Sequence, residues 1–542
     1  MQSSQNKTRI PVVDIFAGPG GLGEGFARYP FAKPAEPKFQ ICLSIEKDER
    51  AHKTLRLRSF TRQFLDGIPS NYYRQLKRTD LLQAERIDEI YQKHPLQAQL
   101  ADDDALCLEL GNSEHQSRSE SALRSKVNNV RDWVLLGGPP CQAYSLVGRS
   151  RNRGIADYEA EQDHRHFLYL EYLSVIANHL PSVFVMENVK GLLSATVKSE
   201  LIFDKIVSDL REPRKCLGIS KRKPKGVKPT YRLYALTQSK DSQQTMLIDV
   251  TDEVDRIDFV IRMEQFGIPQ ARHRLIILGI REDLAVEKLP ELLQPREPVS
   301  SISVLEDLPA LRSGLSKELD AEDSWKKRVV EATKTDWFKQ LNNGSTELRR
   351  LIKSSARSLA KADLDRGGEW LQHKTGSGHL KRWYHDRKIG GVFNHDTRGH
   401  IAADLHRYLF ASCYATVNGA SPSLKDFPTA LLPNHKNVKQ ALGGSLFSDR
   451  FRVQVANKPS TTITSHISKD GHYYIHPDPT QCRSLTVREA ARLQTFPDNY
   501  FFCGPRTSQY TQVGNAVPPY LAHQIAKIVH KVLEVTGVVK DD

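Results

Sequence analysis

Short apolar runs recur along the first 280 or so residues, each cut off by turn-forming residues. They are Pro11-Val12-Val13-Asp14-Ile15-Phe16, Ile41-Cys42-Leu43-Ser44-Ile45, Trp133-Val134-Leu135-Leu136, Val183-Phe184-Val185-Met186, Phe259-Val260-Ile261 and Leu275-Ile276-Ile277-Leu278. Runs this short, β-branched and without polar alternation read as strands buried on both faces. Between them Phe167, Leu170, Leu173, Ile176 and Leu180 recur at helical spacing, and Pro181 ends the stretch. That is one amphipathic crossover helix. The alternation predicts an α/β fold with a doubly covered, mostly parallel sheet.

The pattern changes near Arg281. Up to about Ser460, charged helical patches alternate with Gly-, Asn- and His-rich segments read as turns, such as Asn342-Asn343-Gly344 and Asn394-His395-Asp396. Regular periodicity then returns. Thr486 with Glu489 three residues on forms a capping box for a helix, Gln512 to Pro519 reads as a turn, and Leu521, Ile525, Ile528, Val532 and Leu533 mark a terminal amphipathic helix that must dock on a core. Residues 60–130 are less legible. Asp102-Asp103-Asp104 reads as solvated surface and Asn112 to Lys126 as a loop or exposed helix. A chain of 542 residues exceeds a single core, and the shifts divide it into 1–285, 286–480 and 481–542.

Composition adds little to this picture, whereas charge adds a partner. The chain is 39% hydrophobic and 26% charged, with no run of about 20 apolar residues as a membrane span requires. Met1 to Lys7 lacks the apolar region of a secretory signal. The seven cysteines include no CxxC pair, which argues against a disulfide framework or zinc knuckle and for a reducing, cytoplasmic setting. The histidines between about Arg281 and Ser460 lack metal-ligand spacing, so no metal is assigned. Net charge is +14, with a pI near 9.3, and a polyanionic partner follows because neutralising phosphates releases counterions. Arg349-Arg350, Lys381-Arg382-Trp383-Tyr384-His385 and Arg387-Lys388 mix cations with aromatics, as a nucleic-acid reading surface does.

The candidate chemistry lies where strands end, the usual place for ligands in an open α/β sheet. Gly18, Gly20 and Gly23 satisfy GxGxxG after the first strand, a nucleotide-type cofactor signature. Glu46 ends the second strand, where an acid grips a ribose diol. After the third legible strand, Gly137-Gly138-Pro139-Pro140 stops the chain just ahead of Cys141, with polar Gln142 and Ser145 following. The basic, glycine-bounded stretch Gly148 to Gly154, with Arg149 and Arg151, suits a mobile loop over a phosphate backbone. Glu187 lies at the end of an apolar strand, a costly position without partners or a task. Arg272 and Arg274 alternate into the next strand and are expected on one face.

Taken together, these stretches resemble the DNA cytosine-5 methyltransferase family, in type and in chain order. The resemblance rests on Phe16 to Gly21, Gly137 to Ser145, Glu187-Asn188-Val189, Gln270-Ala271-Arg272-His273-Arg274, Arg483 to Asp498 and Gln512 to Pro519. It implies a Rossmann-like S-adenosylmethionine-dependent fold with a smaller inserted target-recognition domain at 286–480. It implies transfer of a methyl group from S-adenosyl-L-methionine, leaving S-adenosyl-L-homocysteine, to carbon 5 of a flipped-out cytosine in a specific double-stranded DNA sequence. Cys141 would be the nucleophile, and Glu187, Arg272 and Arg274 would complete the catalytic set. Phe16, Gly18, Gly20, Gly21, Glu46, Pro140 and Asn515 would hold the cofactor, and Gln142, Ser145, Arg149 and Arg151 would contact DNA. A monomer is expected, in a bacterial-type cytoplasm at the nucleoid, off the membrane, alongside a cognate restriction endonuclease or defence-system proteins. Two departures stand out: no acidic motif for the adenine is legible between Glu46 and Trp133, and Lys47 replaces the aromatic that often follows the ribose-binding acid. Methylation of transfer RNA is the nearest alternative, a catalytically idle DNA-binding protein a second, and a nicotinamide-dependent dehydrogenase a third.

Overall fold

The computed structural model describes residues 9–31, 36–140, 164–197, 200–220, 227–237, 256–341, 345–373, 379–434, 438 and 449–539. Its centre is one sheet built from β1 (Ile10–Ile15), β2 (Phe39–Glu46), β3 (Ala105–Cys107), β4 (Val134–Gly137), β5 (Val183–Val189), β6 (Tyr231–Tyr234), β7 (Val260–Arg262) and β8 (His273–Arg281). The strand order is β3-β2-β1-β4-β5-β8-β6, with β7 also pairing β8. β1 to β5 are mutually parallel. β8 enters between β5 and β6 and runs antiparallel to β5, β6 and β7. An antiparallel strand there departs from the parallel 3-2-1-4-5-6 order of dinucleotide-binding sheets.

The apolar runs are continuous because both faces are covered. Val13, Leu135, Phe184, Met186 and Ile277 face one cluster, where Tyr172, Leu173 and Ile176 of the helix His164–His179 pack. Val12, Val134, Leu136, Val185 and Ile276 face the other, which is closed by Leu22 and Phe26 of α1 (Gly21–Ala27) and by Leu521, Ile525, Ile528 and Val532 of the terminal helix Pro519–Val535. The terminal helix therefore docks on the sheet, as its spacing predicts.

Residues 60–130 hold the helices Ser70–Leu76, Gln83–Lys93, Pro95–Asp104 and Ser113–Val127, with β3 between the last two. The acidic triplet is not uniformly solvated. Asp102 pairs with Arg56 at the surface, whereas Asp104 is buried against Lys126 at 2.6 Å. Beyond β8, the helices Glu322–Glu331, Thr346–Lys361 and Ala402–Asn418 share their own apolar cluster around Trp325, Ile352 and Leu409.

The segment from Leu485 to Ala516 packs chiefly with Val304, Trp383, Tyr384 and Val392 rather than with the sheet. Trp383 and Tyr384 are thus core residues, which corrects their reading as part of a nucleic-acid surface. The Trp383 indole donates to the Thr495 carbonyl at 2.7 Å and the Tyr384 hydroxyl to that of Arg492 at 2.7 Å. Asn394-His395-Asp396 is not a turn but the end of the strand Gly391–Asp396. Asn394 takes a φ of 56°, and its amide exchanges hydrogen bonds with the backbone of Phe502 at 3.2 and 2.9 Å. Gln512 to Asn515 likewise belong to a helix, Arg506–Asn515, because buried Gln512 donates to the Cys503 carbonyl and accepts from Thr54. Thr486 caps the helix Val487–Leu493 with the Glu489 capping box in place. Asn342-Asn343-Gly344 falls outside the described residues.

The arginines of this closing segment are structural. Arg483 forms a bidentate pair with Glu489 at 2.7 and 2.6 Å. Arg488 donates to the carbonyls of Phe393, Pro497 and Tyr500. Arg492 grips Asp498 at 2.6 and 2.8 Å and reaches Asp307 at 3.0 Å. Burial would raise the Asp307 carboxyl, but His385 and Arg492 outweigh it and hold it near 2. Removing one member of such a buried pair strands the other charge. Asp498→Asn is therefore expected to lower unfolding stability by about 3–5 kcal/mol, measured by urea denaturation.

Candidate active site

The glycine turn after β1 is held open by backbone geometry. Gly18 and Gly20 have φ of 57° and 95°, and Phe16 has 55°, values that favour glycine. A Cβ on Gly21 would meet the Val517 carbonyl at 2.3 Å, so the turn also lies directly against the closing Gly514–Pro518 stretch. Glu46 at the end of β2 accepts the Gly18 N–H at 2.8 Å and the Asp48 N–H at 2.8 Å. Burial pushes its carboxyl above the usual range, and those two hydrogen bonds pull the other way. A carboxylate has about four acceptor sites, so Glu46 keeps capacity for a diol.

The catalytic candidates meet where β4, β5 and β8 end. The register pairs Gly137 with Met186 and Val189 with Arg274. Glu187 Oε1 therefore lies 2.9 Å from Arg274 Nε, both groups being mostly buried. A Cβ on Gly138 would stand 3.1 Å from Glu187 Oε2, so a side chain there would press the carboxylate aside by a few tenths of an ångström. The Asn188 amide donates to the Pro139 carbonyl at 3.2 Å and fixes the turn just before Pro140. Cys141, Gln142, Ser145, Arg149 and Arg151 lie outside the described residues.

Arg272 lines the same cleft as Arg274 but is more deeply buried and is held by backbone carbonyls. It interrupts the strand ahead of β8 and is buried. Its guanidinium donates to the carbonyls of Ile463 at 2.8 Å and Gly514 at 3.2 Å. Gln270 accepts the Ile463 N–H at 2.8 Å, and Gln270-Ala271 pairs in parallel with Ser460-Thr461. The Gln-x-Arg segment thus ties the 460s stretch to the sheet top.

All of this opens on one cleft of about 2040 Å³. Its walls include Phe16, Gly18, Gly21, Glu46, Pro140, Glu187, Arg274 and exposed Asn515. Arg450, Arg452, Thr462, His466, Lys469 and Tyr473 line it from the 449–474 stretch. Gly20, although part of the turn, is buried and stands against Leu55 and Tyr500. The cleft also holds a residue that sequence reading did not place. Glu109, just past the three-residue β3, lines it between Leu108 and Leu110 and pairs with Lys47 at 3.0 Å. A strand that short leaves no periodic signal, so only β3 pairing beside β2 reveals the position.

The sequence pattern of the C-5 cytosine-specific DNA methylases matches residues 113–213 and 259–531. The chain belongs to that family. It is 31% identical to Type II methyltransferase M.Bpa9945I of Bacillus paralicheniformis, over 96% of this chain and 99% of that one. It is 25% identical to Type II methyltransferase M.AgeI of Thalassovita gelatinovora, covering 73% and 82% of the two chains. It is 27% identical to DNA (cytosine-5-)-methyltransferase M.ApeKI of Aeropyrum pernix, covering 74% and 81%. This methylase's sheet is the Rossmann-like one of S-adenosylmethionine-dependent methyltransferases, and the family modifies DNA. Among the described residues, no helix is long and apolar enough to cross a membrane, and no group of three potential ligands could hold a metal ion.

The residues present fit S-adenosylmethionine. Built on Gly18, a Cβ would meet nothing within 4 Å, so the turn faces open space, and Glu46 offers a carboxylate at the end of the neighbouring strand. Leu108 and Leu110 give that end of the cleft apolar walls beside Glu109. Beneath the turn, buried Asp14 accepts the Gly23 N–H at 3.2 Å. Burial pushes its carboxyl up to about 7, against the pull of Arg62 and the Gly23 bond. The folded protein thus holds a proton that the unfolded chain releases near pH 4, so this group's contribution to stability falls as pH rises from about 4 to 7 and stays lost above that. Asp14→Asn is expected to raise the melting temperature at pH 8, with the gain shrinking toward pH 5. Thermal melts at the two pH values check it, and an equal gain at both would exclude the linkage.

Proposed function

We propose that this methylase transfers a methyl group from S-adenosyl-L-methionine to carbon 5 of a cytosine flipped out of a specific duplex DNA sequence, through a covalent adduct with Cys141. The observation that carries this reading is the convergence of the Pro139–Pro140 turn, Glu187 and Arg274 in one cleft with the glycine turn and Glu46. We assign 1–285 to the catalytic domain, 286–480 to target recognition and 481–542 to the closing motifs.

Carbon 5 of cytosine is a weak nucleophile in the intact ring. The Cys141 thiolate adds to carbon 6, and the electron pair displaced from the 5,6 double bond makes carbon 5 enamine-like, which splits one hard step into easier ones. Glu187, carrying a proton, donates to ring nitrogen 3 and accepts from the exocyclic amino group, so it offsets the negative charge that develops on nitrogen 3. Arg274 holds the base's carbonyl oxygen. Guanidinium groups stay protonated in proteins, so Arg272 and Arg274 against Glu187 leave an excess positive charge at the sheet top. A cation near a thiol lowers its pKa, which favours the thiolate. The bound cofactor supplies an electrophilic methyl group and leaves as S-adenosyl-L-homocysteine. Once carbon 5 is methylated, a base removes its hydrogen as a proton, the 5,6 double bond re-forms and the thiolate is expelled.

Phe16, Gly18, Gly21, Glu46, Pro140 and Asn515 are assigned to the cofactor, with Gly20 shaping the turn from its buried side and Glu109 as the acid for the adenine amino group. A stacked cytosine cannot reach this cleft, and flipping it costs a few kcal/mol. Gln142, Ser145, Arg149, Arg151 and the recognition region would offset that cost through phosphate and groove contacts. Relatives named as type II methyltransferases support a cognate restriction endonuclease as a partner.

The test uses tritiated S-adenosylmethionine with duplex DNA or RNA. Label is expected in DNA, and Cys141→Ala is expected to abolish it while S-adenosylhomocysteine still binds in calorimetry. A duplex carrying 5-fluorocytosine is expected to give a Cys141-dependent band on denaturing gels, since fluorine cannot leave as a cation. Glu187→Gln is expected to slow turnover about 10²-fold or more. Label in RNA alone, or a Cys141→Ala enzyme that still methylates DNA, would overturn the assignment.

A further inference from the structure

Phe16, Gly18 and Gly20 place much of the cofactor turn in the left-handed region. For a non-glycine residue such as Phe16 this costs about 1–2 kcal/mol, so the turn persists only where its surroundings over-determine it. Glu46 supplies one restraint through the Gly18 N–H at 2.8 Å. The Ala17 N–H adds another, to the Ile45 carbonyl at 3.1 Å, and a further one comes from a residue some 480 positions away. Tyr500, fully buried, donates its hydroxyl to the carbonyl of buried Pro19, and a Cβ on Gly20 would stand 3.0 Å from the same oxygen.

Tyr500 is itself held firmly. Arg488 donates to its carbonyl at 2.7 Å, and its ring packs against Phe496 and Phe502 with centroids 4.8 and 5.4 Å away. Pro19 lines the cleft, but Tyr500 does not. We propose that Tyr500 is a positioning residue for the cofactor, its hydroxyl holding the Pro19 carbonyl and so keeping the glycine turn shaped for S-adenosylmethionine. The proposal rests on reading the cleft as the S-adenosylmethionine site. Without that hydroxyl the Pro19 carbonyl loses a buried donor and the turn loses its side-chain restraint from the 485–516 segment, while Glu187 and Arg274 are untouched.

Tyr500→Phe keeps the ring and deletes only the hydroxyl. It is expected to raise KM for S-adenosylmethionine and Kd for S-adenosylhomocysteine about 5- to 10-fold, with kcat within about twofold of wild type and KM for DNA unchanged. Tyr510→Phe is the control. It also deletes a buried hydroxyl, one that donates to the Leu485 carbonyl at 2.6 Å, and it is expected to lower thermal stability without moving the cofactor constants. Wild-type cofactor constants in Tyr500→Phe would overturn the proposal, as would a loss confined to kcat or an equal shift in Tyr510→Phe. A wild-type protein that binds no S-adenosylhomocysteine would instead remove the reading of the cleft, and the positioning role with it.

Discussion

The ion pair between Glu187 and Arg274 depends on a strand running the wrong way. β8 lies antiparallel against β5, so its first residues, not its last, reach the top of the sheet. A parallel strand in that place would carry Arg274 to the opposite end, and Glu187 would be a buried carboxylate with no cation beside it. Such a group is expensive. The reversal lets a strand of mostly apolar residues begin on a cation and end in the core, and it lets the carboxyl ends of β4 and β5 share a cleft with that cation. The glycine turn and Glu46 open on the same cleft because β1 and β2 are the neighbouring parallel strands.

The positive charge of this methylase has two uses. The +14 balance points to a polyanion, yet several arginines never meet solvent. Arg483, Arg488 and Arg492 are fully buried, with carboxylates or backbone carbonyls as partners, and Arg272 ties the 460s stretch to the glycine-asparagine end of the closing helix. Planar guanidinium groups suit this, because several donors in a rigid fork can satisfy carbonyls from different segments at once. They stitch together stretches hundreds of residues apart in the chain. Arg450, Arg452 and Lys469 are placed differently, lining the cleft from the 449–474 stretch.

Stability and site geometry are linked through the same closing segment. Residues 485–516 share a core with Trp383 and Tyr384, yet they also supply Tyr500 to the Pro19 carbonyl and place Val517 against Gly21. The glycine turn is therefore in direct contact with residues some 480 positions further along the chain. That explains why the helix from Val487 begins with a complete capping box and a fully paired arginine rather than a loosely set surface turn.

The sequence by itself determined whatever depends on neighbours within a few residues. Apolar runs mark β1, β2, β4, β5 and β8, the Thr486–Glu489 spacing marks a helix start, and the spacing of Leu521, Ile525 and Ile528 marks the terminal helix. Periodicity and capping are local physics, so they survive in one dimension. Tertiary structure alone decided the rest. It buried Asp104 while leaving Asp102 and Asp103 exposed, and it drew Trp383 and Tyr384 into the core. It made Asn394 a backbone mimic for Phe502, kept Gln512 to Asn515 helical, brought Glu109 to the cleft and bound Arg272 to the carbonyls of Ile463 and Gly514. Each of these outcomes depends on a partner far along the chain, and a side chain's charge or ring says nothing about which distant carbonyl will claim it.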